Sequence, residues 1–341
     1  MNTPAHSDVN TTGRLADQAA VRQLRMGDVT FTYVVDGAMA LSPSLFFPSV
    51  PQQFWDQNPE FLDTGGRIPM SAGGLLIERD GHYVLIDTGV GEMAIDTPEA
   101  TVDCGAMPAV LEQLGVALAD VDVVAFTHSH FDHTGWAIRP SVGGTSAPMF
   151  ANARYLVGAT EWGPFDCGLH PAGSPDPLSV IAPLRALSHS IDDGAVVAPG
   201  ITALATPGHS AGHISYVVTT SAGCLLAFGD GFHTPAQLSN PEWCSAADAD
   251  PASARDARQR LLEELSKPDT VGFGIHFGDQ PFGRIAFDSS ARPVWQPIPS
   301  TVVRQPPRPS DNKGKPTTHD QNDPHHRRRI RHRPWPGPRV P

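Results

Sequence analysis

The segment Val121-Asp122-Val123-Val124-Ala125-Phe126-Thr127-His128-Ser129-His130-Phe131-Asp132-His133 gives the strongest structural signal in this chain. It begins with a largely apolar run typical of a buried strand, and four residues able to bind a metal then follow within six positions. Side chains alternate along an extended chain, so His128 and His130 project from one face. The turn after them can direct Asp132 and His133 to a neighbouring point. The motif therefore predicts two adjacent metal positions at the end of a strand.

Three further candidate ligands each end an apolar run later in the chain: His209, Asp230 and His276. A lone histidine is more often a core or surface residue, but a dense cluster rarely has that origin. Imidazole and carboxylate suit zinc, manganese, cobalt or iron(II), and no cysteine lies where it could replace them. We expect two divalent metal ions, zinc before the others, held by five histidines and two aspartates.

The remaining pattern predicts alternating strands and helices around this motif. A turn pair, Asp80-Gly81, joins two apolar runs into a hairpin that ends at Asp87-Thr88-Gly89. Residues 38–71 are rich in Pro, Phe and Gly without a clear period, which predicts a long irregular excursion. Strands are expected at 27–35, 74–79, 82–87, 121–126, 201–205, 214–219, 224–228, 271–275 and 284–287, and helices at 108–114 and 250–267.

Composition divides the chain into three parts. Residues 1–22 are predicted to be a flexible leader, 23–298 the catalytic domain, and 299–341 a disordered tail rich in Pro and Arg. The tail has too little apolar periodicity to build a core, and whether it has a specific role is left open.

Charge and cysteine content limit the partners and the location. The net charge is −12, and residues 299–341 carry 10 Lys and Arg against 3 Asp, a charge of +7, which leaves −19 on residues 1–298. Such an acidic body disfavours nucleic acid and anionic membrane surfaces. No run reaches the roughly 18 apolar residues of a membrane span, and no secretory pattern opens the chain. Four widely spaced cysteines without a Cys-x-x-Cys pair indicate reduced thiols, so a cytoplasmic location is expected.

The order Asp-x-Gly, His-x-His-x-Asp-His, lone His, lone Asp and final His resembles the metallo-β-lactamase superfamily over roughly residues 27–298. The resemblance implies an α/β fold, an αββα sandwich with a dinuclear site at one edge of the two sheets. It implies that one metal is bound by His128, His130 and His209, and the second by Asp132, His133 and His276. Asp230 would bridge the two ions, and Asp87 would orient a ligand through a hydrogen bond.

A closer resemblance, to the methyl parathion hydrolase and N-acyl-homoserine lactonase group, lies in Gly229 to His233, Asp248 to Pro251, Arg258 and His276-Phe277. Asp132 and His233 are the predicted catalytic residues. His233 stands three after Asp230, where lactonases tend to have Tyr, and could donate to a developing oxyanion. The alternative for His233 is a packing role, and His213 is expected to be structural.

These observations predict a hydrolase that cleaves a neutral ester, lactone or phosphotriester by attack of a metal-bridging hydroxide. The substrate is expected to be a partly apolar small molecule, because Phe46, Phe47, Phe54 and Trp55 could form an apolar wall over the metals. These aromatics could instead bury core or dimer surface, so a homodimer stays open. A β-lactam or amide hydrolase is the first alternative, and a mononuclear iron oxygenase acting on a sulfur compound is the second.

Overall fold

The computed structural model describes residues 9–142 and 145–304. Its strands are, in chain order, β1 (Val9–Thr11), β2 (Val21–Met26), β3 (Val29–Leu41), β4 (Ile68–Arg79), β5 (His82–Ile86), β6 (Met93–Asp96), β7 (Ala100–Cys104), β8 (Val121–Ala125), β9 (Ile138–Val142), β10 (Thr145–Pro148), β11 (Arg154–Gly158), β12 (Ser188–Ile191), β13 (Val196–Ala198), β14 (Ile201–Ala205), β15 (Ile214–Thr220), β16 (Gly223–Ala227), β17 (Thr270–Phe273), β18 (Phe282–Phe287), β19 (Pro293–Pro297) and β20 (Ser300–Arg304). The α-helices are α1 (Pro43–Phe46), α2 (Gln52–Gln57), α3 (Met107–Gln113), α4 (Phe131–Thr134), α5 (Gly163–Asp166), α6 (Ala182–Leu187) and α7 (Pro251–Leu265). Short 3-10 turns span Pro59–Phe61, Leu118–Asp120, Gly229–Gly231 and Pro235–Gln237, and a π-helical turn spans Pro177–Ile181.

Two large sheets form the framework. The first follows the order β1-β20-β2-β3-β4-β5-β8-β11-β12, with β7 and β6 added beside β3, and the second follows β13-β14-β15-β16-β17-β18-β19. The sheets face each other: the Tyr33 and Phe273 rings meet edge to face at 5.3 Å, and the Tyr216 hydroxyl donates to the Phe126 carbonyl at 2.7 Å. Helix α3 contacts β3, and α7 contacts β17 and β18. This arrangement confirms the predicted αββα sandwich.

Local chemistry explains the elements that the sequence predicted well. The β4–β5 turn needs two left-handed residues, and Asp80 (φ 53°) and Gly81 (φ 79°) adopt that conformation. Asp250 caps α7 by accepting hydrogen bonds from the backbone of Ala252 and Ser253, and Pro251 occupies the first turn. The predicted hairpin and the predicted helix beginning at Asp250 are therefore confirmed.

The irregular segment predicted for residues 38–71 is shorter in the structure than predicted. Strand β3 continues to Leu41 and β4 begins at Ile68, so the two pair over their full length and only the segment between them leaves the sheet. That segment itself contains α1 and α2.

Both terminal boundaries also need correction. Residues 9–11 form β1, and the side chain of Arg22, inside the predicted leader, is buried and paired with Asp279 at 2.6 Å. Residues 300–304 form β20, which lies between β1 and β2, so the predicted tail begins too early. These segments are held in the first sheet by pairing between strands that are far apart in the chain. Local composition does not report such pairing. The rest of the predicted leader and tail, 1–8 and 305–341, lies outside the described residues.

Two further findings concern the cysteines and the helices. All four cysteines are free thiols. Within residues 9–142 and 145–304, no helix has the length and apolar character needed to cross a membrane.

A cavity of 510 Å³ lies between Leu15, Phe61 and Trp295, and none of the predicted metal ligands lines it.

Candidate metal centre

The predicted ligands converge because they follow strands that end at one edge of the sandwich. His128 follows β8, His209 follows β14, Asp230 follows β16 and His276 follows β17. The short helix α4 carries Asp132 and His133. All seven predicted ligands are buried, and they form two groups that share Asp230: His128, His130, His209 and Asp230, and Asp132, His133, Asp230 and His276. We call these groups the first and the second cluster.

In the first cluster, imidazole nitrogens surround the Oδ2 atom of Asp230. His209 Nε2 lies 3.1 Å from this oxygen and His128 Nε2 lies 3.8 Å from it. His130 presents its other nitrogen, Nδ1, at 3.0 Å from His209 Nε2. Three ring nitrogens and one carboxylate oxygen thus face a common point.

The second cluster uses the other oxygen of the same carboxylate. His133 Nε2 and His276 Nε2 lie 3.1 Å and 3.0 Å from Asp230 Oδ1. Asp132 Oδ2 completes the group at 3.7 Å from His133 Nε2 and 3.6 Å from His276 Nε2. Each oxygen of Asp230 therefore serves a different cluster.

The chemistry and spacing of both clusters fit metal ions. Two ligands of a tetrahedral zinc ion at 2.0–2.1 Å stand about 3.3 Å apart, close to the observed separations. Among the described residues, several buried atoms of the clusters have no hydrogen-bond partner: His128 Nε2, His133 Nε2, His276 Nε2 and Asp230 Oδ1. Buried polar atoms without partners are rare and costly, so their convergence suggests two divalent metal ions.

The ring atoms that face away from the clusters are held by hydrogen bonds. His133 Nδ1 lies 2.8 Å from Asp87 Oδ2, and His209 Nδ1 lies 2.9 Å from Asp248 Oδ1. His276 Nδ1 lies 2.9 Å from the carbonyl oxygen of Ser71, and His128 Nδ1 lies 3.0 Å from the hydroxyl of Thr127. A proton on Nδ1 leaves Nε2 with its lone pair directed into the cluster, which is what a metal ligand needs.

Charge in the clusters is divided between the imidazoles and Asp230. Burial and the neighbouring imidazoles hold the pKa of His128 and His130 well below the usual range. Burial also opposes charge on His209, but the carboxylates of Asp230 and Asp248 outweigh it and raise its pKa to about 9. Asp230 likewise overcomes burial to raise the pKa of His133 and His276. A buried carboxylate here attracts positive charge, which protons or a metal ion can supply.

A small apolar cavity of 90 Å³ opens onto the clusters and is bordered by His233. The Nε2 atom of His233 lies 3.2 Å from Asp230 Oδ2, and neither ring nitrogen has a hydrogen-bond partner within the described residues. Burial lowers the pKa of His233, so the ring is neutral and carries one N–H group. Its ring packs edge to face against Phe46 at 4.9 Å.

The predicted apolar wall is only partly as expected. Phe46 lines the cavity, whereas Phe47 and Trp55 are fully buried behind it, in a core that also contains the partly buried Phe54. Sequence reasoning missed the larger of the other apolar side chains of the cavity, which come from the first sheet and from α4: Met39, Leu41, Met70, Val102 and Phe131.

Sequence reasoning also missed the buried acids that support the clusters. Asp248 was noticed only as part of a resemblance, yet it joins His209 to the buried guanidinium of Arg258 at 2.6 Å. Asp36 and Glu161 were not noticed at all, although both are buried and hydrogen-bonded to loops that carry or flank ligands. Single acids without a local pattern give no signal that separates them from surface residues.

Comparisons with known proteins agree with this picture. The model of the metallo-beta-lactamase superfamily matches residues 75–139, which include the His-x-His-x-Asp-His motif. The N-acyl homoserine lactonase AiiA of Bacillus thuringiensis subsp. kurstaki is 27% identical over 217 residues, 59% of this chain and 79% of that relative.

Solved structures show the same fold. Hydrolase AbOPH, described as a member of the beta lactamase superfamily, superposes with a TM-score of 0.69 at 24% identity and covers 82% of this chain and 98% of its own. AidC, described as a dizinc quorum-quenching lactonase in complex with a product N-hexnoyl-L-homoserine, superposes with a TM-score of 0.67 at 19% identity over the same shares, 82% and 98%.

Proposed function

We propose that this chain, which carries a metallo-beta-lactamase superfamily domain, is a dinuclear metal-dependent hydrolase of neutral, partly apolar lactones and esters, with phosphotriesters as a further substrate class. The observation that carries the proposal is the carboxylate of Asp230, whose two oxygens face separate clusters of buried imidazoles. Zinc is the proposed metal, because the first cluster offers four ligands, three of them imidazoles, which is the number and type that zinc prefers.

The seven cluster residues would hold the ions, and Asp230 would place them side by side. Bound in this way, two divalent ions supply a hydroxide nucleophile near neutral pH and polarise the electrophilic oxygen of the substrate. The chain's own contribution is the fixed orientation of four imidazoles, those of His128, His133, His209 and His276, by their Nδ1 partners and the exclusion of water by the apolar cavity walls.

The cavity supports a substrate with an apolar acyl or aryl group. Its walls combine Met39, Met70 and Phe46, and neither Lys nor Arg borders it within the described residues. A neutral substrate is therefore favoured over an anionic one. The lactonase activity named for AiiA and the N-hexnoyl-L-homoserine seen in AidC make an N-acyl lactone the first substrate to test.

His233 is the proposed donor to the oxyanion or leaving group. It borders the cavity, is neutral and lies beside Asp230, and its ring nitrogens lack a partner within the described residues. A neutral imidazole at this point can donate through N–H without adding charge to the site. Asp132 would act through its metal ion.

The test is a substrate screen on metal-free protein reconstituted with zinc, manganese, cobalt or iron. The panel contains N-acyl homoserine lactones, aryl esters, phosphotriesters and β-lactams, with metal content measured on the same samples. We expect two ions per chain, with lactones or aryl esters turned over fastest, and no turnover by the metal-free control. Protein with two bound ions that hydrolyses none of the panel, or iron-loaded protein that only consumes oxygen, would contradict the proposal.

A further inference from the structure

A buried acid outside both clusters joins the two loops that carry the first cluster. Glu161 follows β11 and is 2% exposed. Its Oε1 atom accepts hydrogen bonds from the backbone N–H and the hydroxyl of Ser129, at 2.7 Å and 2.6 Å. Ser129 stands between His128 and His130, so this oxygen fixes the backbone that aims both ligands.

The other oxygen of the same carboxylate holds the loop of the third ligand. Glu161 Oε2 accepts from the hydroxyl of Ser210 at 2.6 Å and from the backbone N–H of Gly212 at 2.9 Å. Ser210 directly follows His209. One side chain therefore ties all three imidazoles of the first cluster together by four hydrogen bonds.

The backbone around Glu161 is packed tightly enough to hold it in place. A Cβ atom at Gly212 would lie 2.3 Å from the backbone nitrogen of Glu161, and one at Gly158 would lie 2.0 Å from the carbonyl oxygen of Gly212. The hydroxyl of Thr160 also donates to the Ala211 carbonyl at 2.7 Å. The Glu161 loop and the loop that follows His209 thus cannot separate without breaking this packing.

All four partners of Glu161 are N–H or O–H groups, and within residues 9–142 and 145–304 no Lys or Arg pairs with it. A carboxylate satisfies such a set because both oxygens only accept. The amide of a glutamine cannot satisfy this set. Its NH₂ group would face a backbone N–H group, which can only donate a hydrogen bond and cannot accept one.

We infer that Glu161 is a positioning residue that sets the metal affinity of the first cluster and leaves that of the second cluster nearly unchanged. The inference rests on the proposed metal occupancy but not on any substrate. The second cluster takes its support from other groups: Asp87 holds His133, and the carbonyl of Ser71 holds His276. Of the three residues that bond to Glu161, Ser129 and Ser210 are adjacent to first-cluster ligands, Gly212 lies three residues after His209, and none is adjacent to a ligand of the second cluster.

The test measures zinc dissociation constants of metal-free protein by chelator competition in two backgrounds. Asp132→Ala leaves the first cluster intact, and His128→Ala leaves the second. We expect Glu161→Gln to weaken zinc binding about 10- to 100-fold in the first background, the usual effect of losing a group that orients a ligand, and by less than about threefold in the second. Thr160→Ala is the matched control, because it removes one hydrogen bond of the same loop without touching the carboxylate.

Equal weakening in both backgrounds, or none in the Asp132→Ala background, would overturn the inference. Two zinc ions retained by the Asp132→Ala protein itself would instead overturn the ligand assignment of the proposed function, and the inference with it. If Glu161→Gln does not fold, the double variant Ser129→Ala, Ser210→Ala keeps the carboxylate but removes two of its donors. It should still weaken the first cluster severalfold and spare the second, and the opposite pattern would refute the inference.

Discussion

The Nε2 atom of His213 accepts a hydrogen bond from the backbone N–H of Asp230 at 3.1 Å. The other ring nitrogen lies 2.8 Å from the hydroxyl of Thr206, so His213 is held at both ends and fully buried. Burial, followed by the charge of nearby His209, lowers its pKa to about 3, which keeps the ring neutral and able to accept. His213, expected to be structural, thus fixes the residue that both clusters share.

Replacing His213 should therefore weaken metal binding at both clusters. His213→Ala leaves the Asp230 N–H buried without an acceptor, so we expect zinc affinity to fall roughly 10-fold or more at each cluster. His213→Gln should recover part of the loss, because its carbonyl oxygen can accept the same hydrogen bond. Stepwise zinc dissociation constants check this, and wild-type constants in His213→Ala would leave the residue with a packing role alone.

The division of ligands between clusters gives a second prediction. Asp132→Ala and His133→Ala each remove a ligand of the second cluster, so we expect one zinc ion per chain and most of the hydrolytic activity lost, with the fold kept. Metal analysis, activity and circular dichroism on the same preparations measure the three quantities. Two ions at full occupancy in either variant would show that the ligands are assigned wrongly.

Metal affinity should fall as the pH falls. In the metal-free protein the pKa of His209 is about 9, because Asp230 and Asp248 overcome the burial that opposes its charge. Below pH 9 a metal ion must therefore displace a proton from this ring, and the raised pKa values of His133 and His276 add to the effect. Each displaced proton weakens the apparent affinity about tenfold per pH unit.

Calorimetry checks this directly. Zinc titrations at pH 7 in buffers of different ionisation enthalpy report the number of protons released, and we expect at least one. Binding heats that do not depend on the buffer would mean that the clusters are already deprotonated and that His209 is neutral.

Phe46 gives a prediction about substrate choice. Its ring lines the cavity and packs on His233, so Phe46→Ala should raise KM for long-chain acyl substrates roughly tenfold with a smaller effect on kcat, as expected when apolar contact made in both ground and transition states is lost. Leu45→Ala is the control, since Leu45 is the preceding residue of α1 and is 52% exposed. An equal change of KM for short and long acyl chains would contradict a role for Phe46 in acyl binding.

The sequence predicted those parts of the centre whose signals are local. Histidines two residues apart after an apolar run share a face, and the strands β8, β14, β16 and β17 end where His128, His209, Asp230 and His276 follow them. Because these strands end at one edge of the sandwich, the fold brings the four residues together.

What could not be predicted depends on residues distant in the chain. Glu161 supports Ser129 across 32 positions and Gly212 across 51, and Asp248 reaches His209 across 39. The pairing of β20 with β1 and β2 joins opposite ends of the chain, so residues 300–304 lie in a sheet although their composition predicts disorder. Local composition reports neither kind of contact.

The last prediction concerns His233, whose proposed role is to donate a hydrogen bond to the oxyanion or leaving group. Its neutral ring borders the cavity beside Asp230, with ring nitrogens that lack a partner among the described residues. His233→Ala should lower kcat on the best lactone or ester by roughly 10²-fold, the scale of one lost donor or general acid, while both metal ions stay bound. His233→Tyr should recover part of the loss, because the phenol offers a donor of similar reach. Metal analysis must accompany the kinetics, since a slow variant without metal reports on binding and not on donation. Unchanged kcat and KM in His233→Ala with two ions bound would make the packing of His233 against Phe46 and His276 its whole contribution.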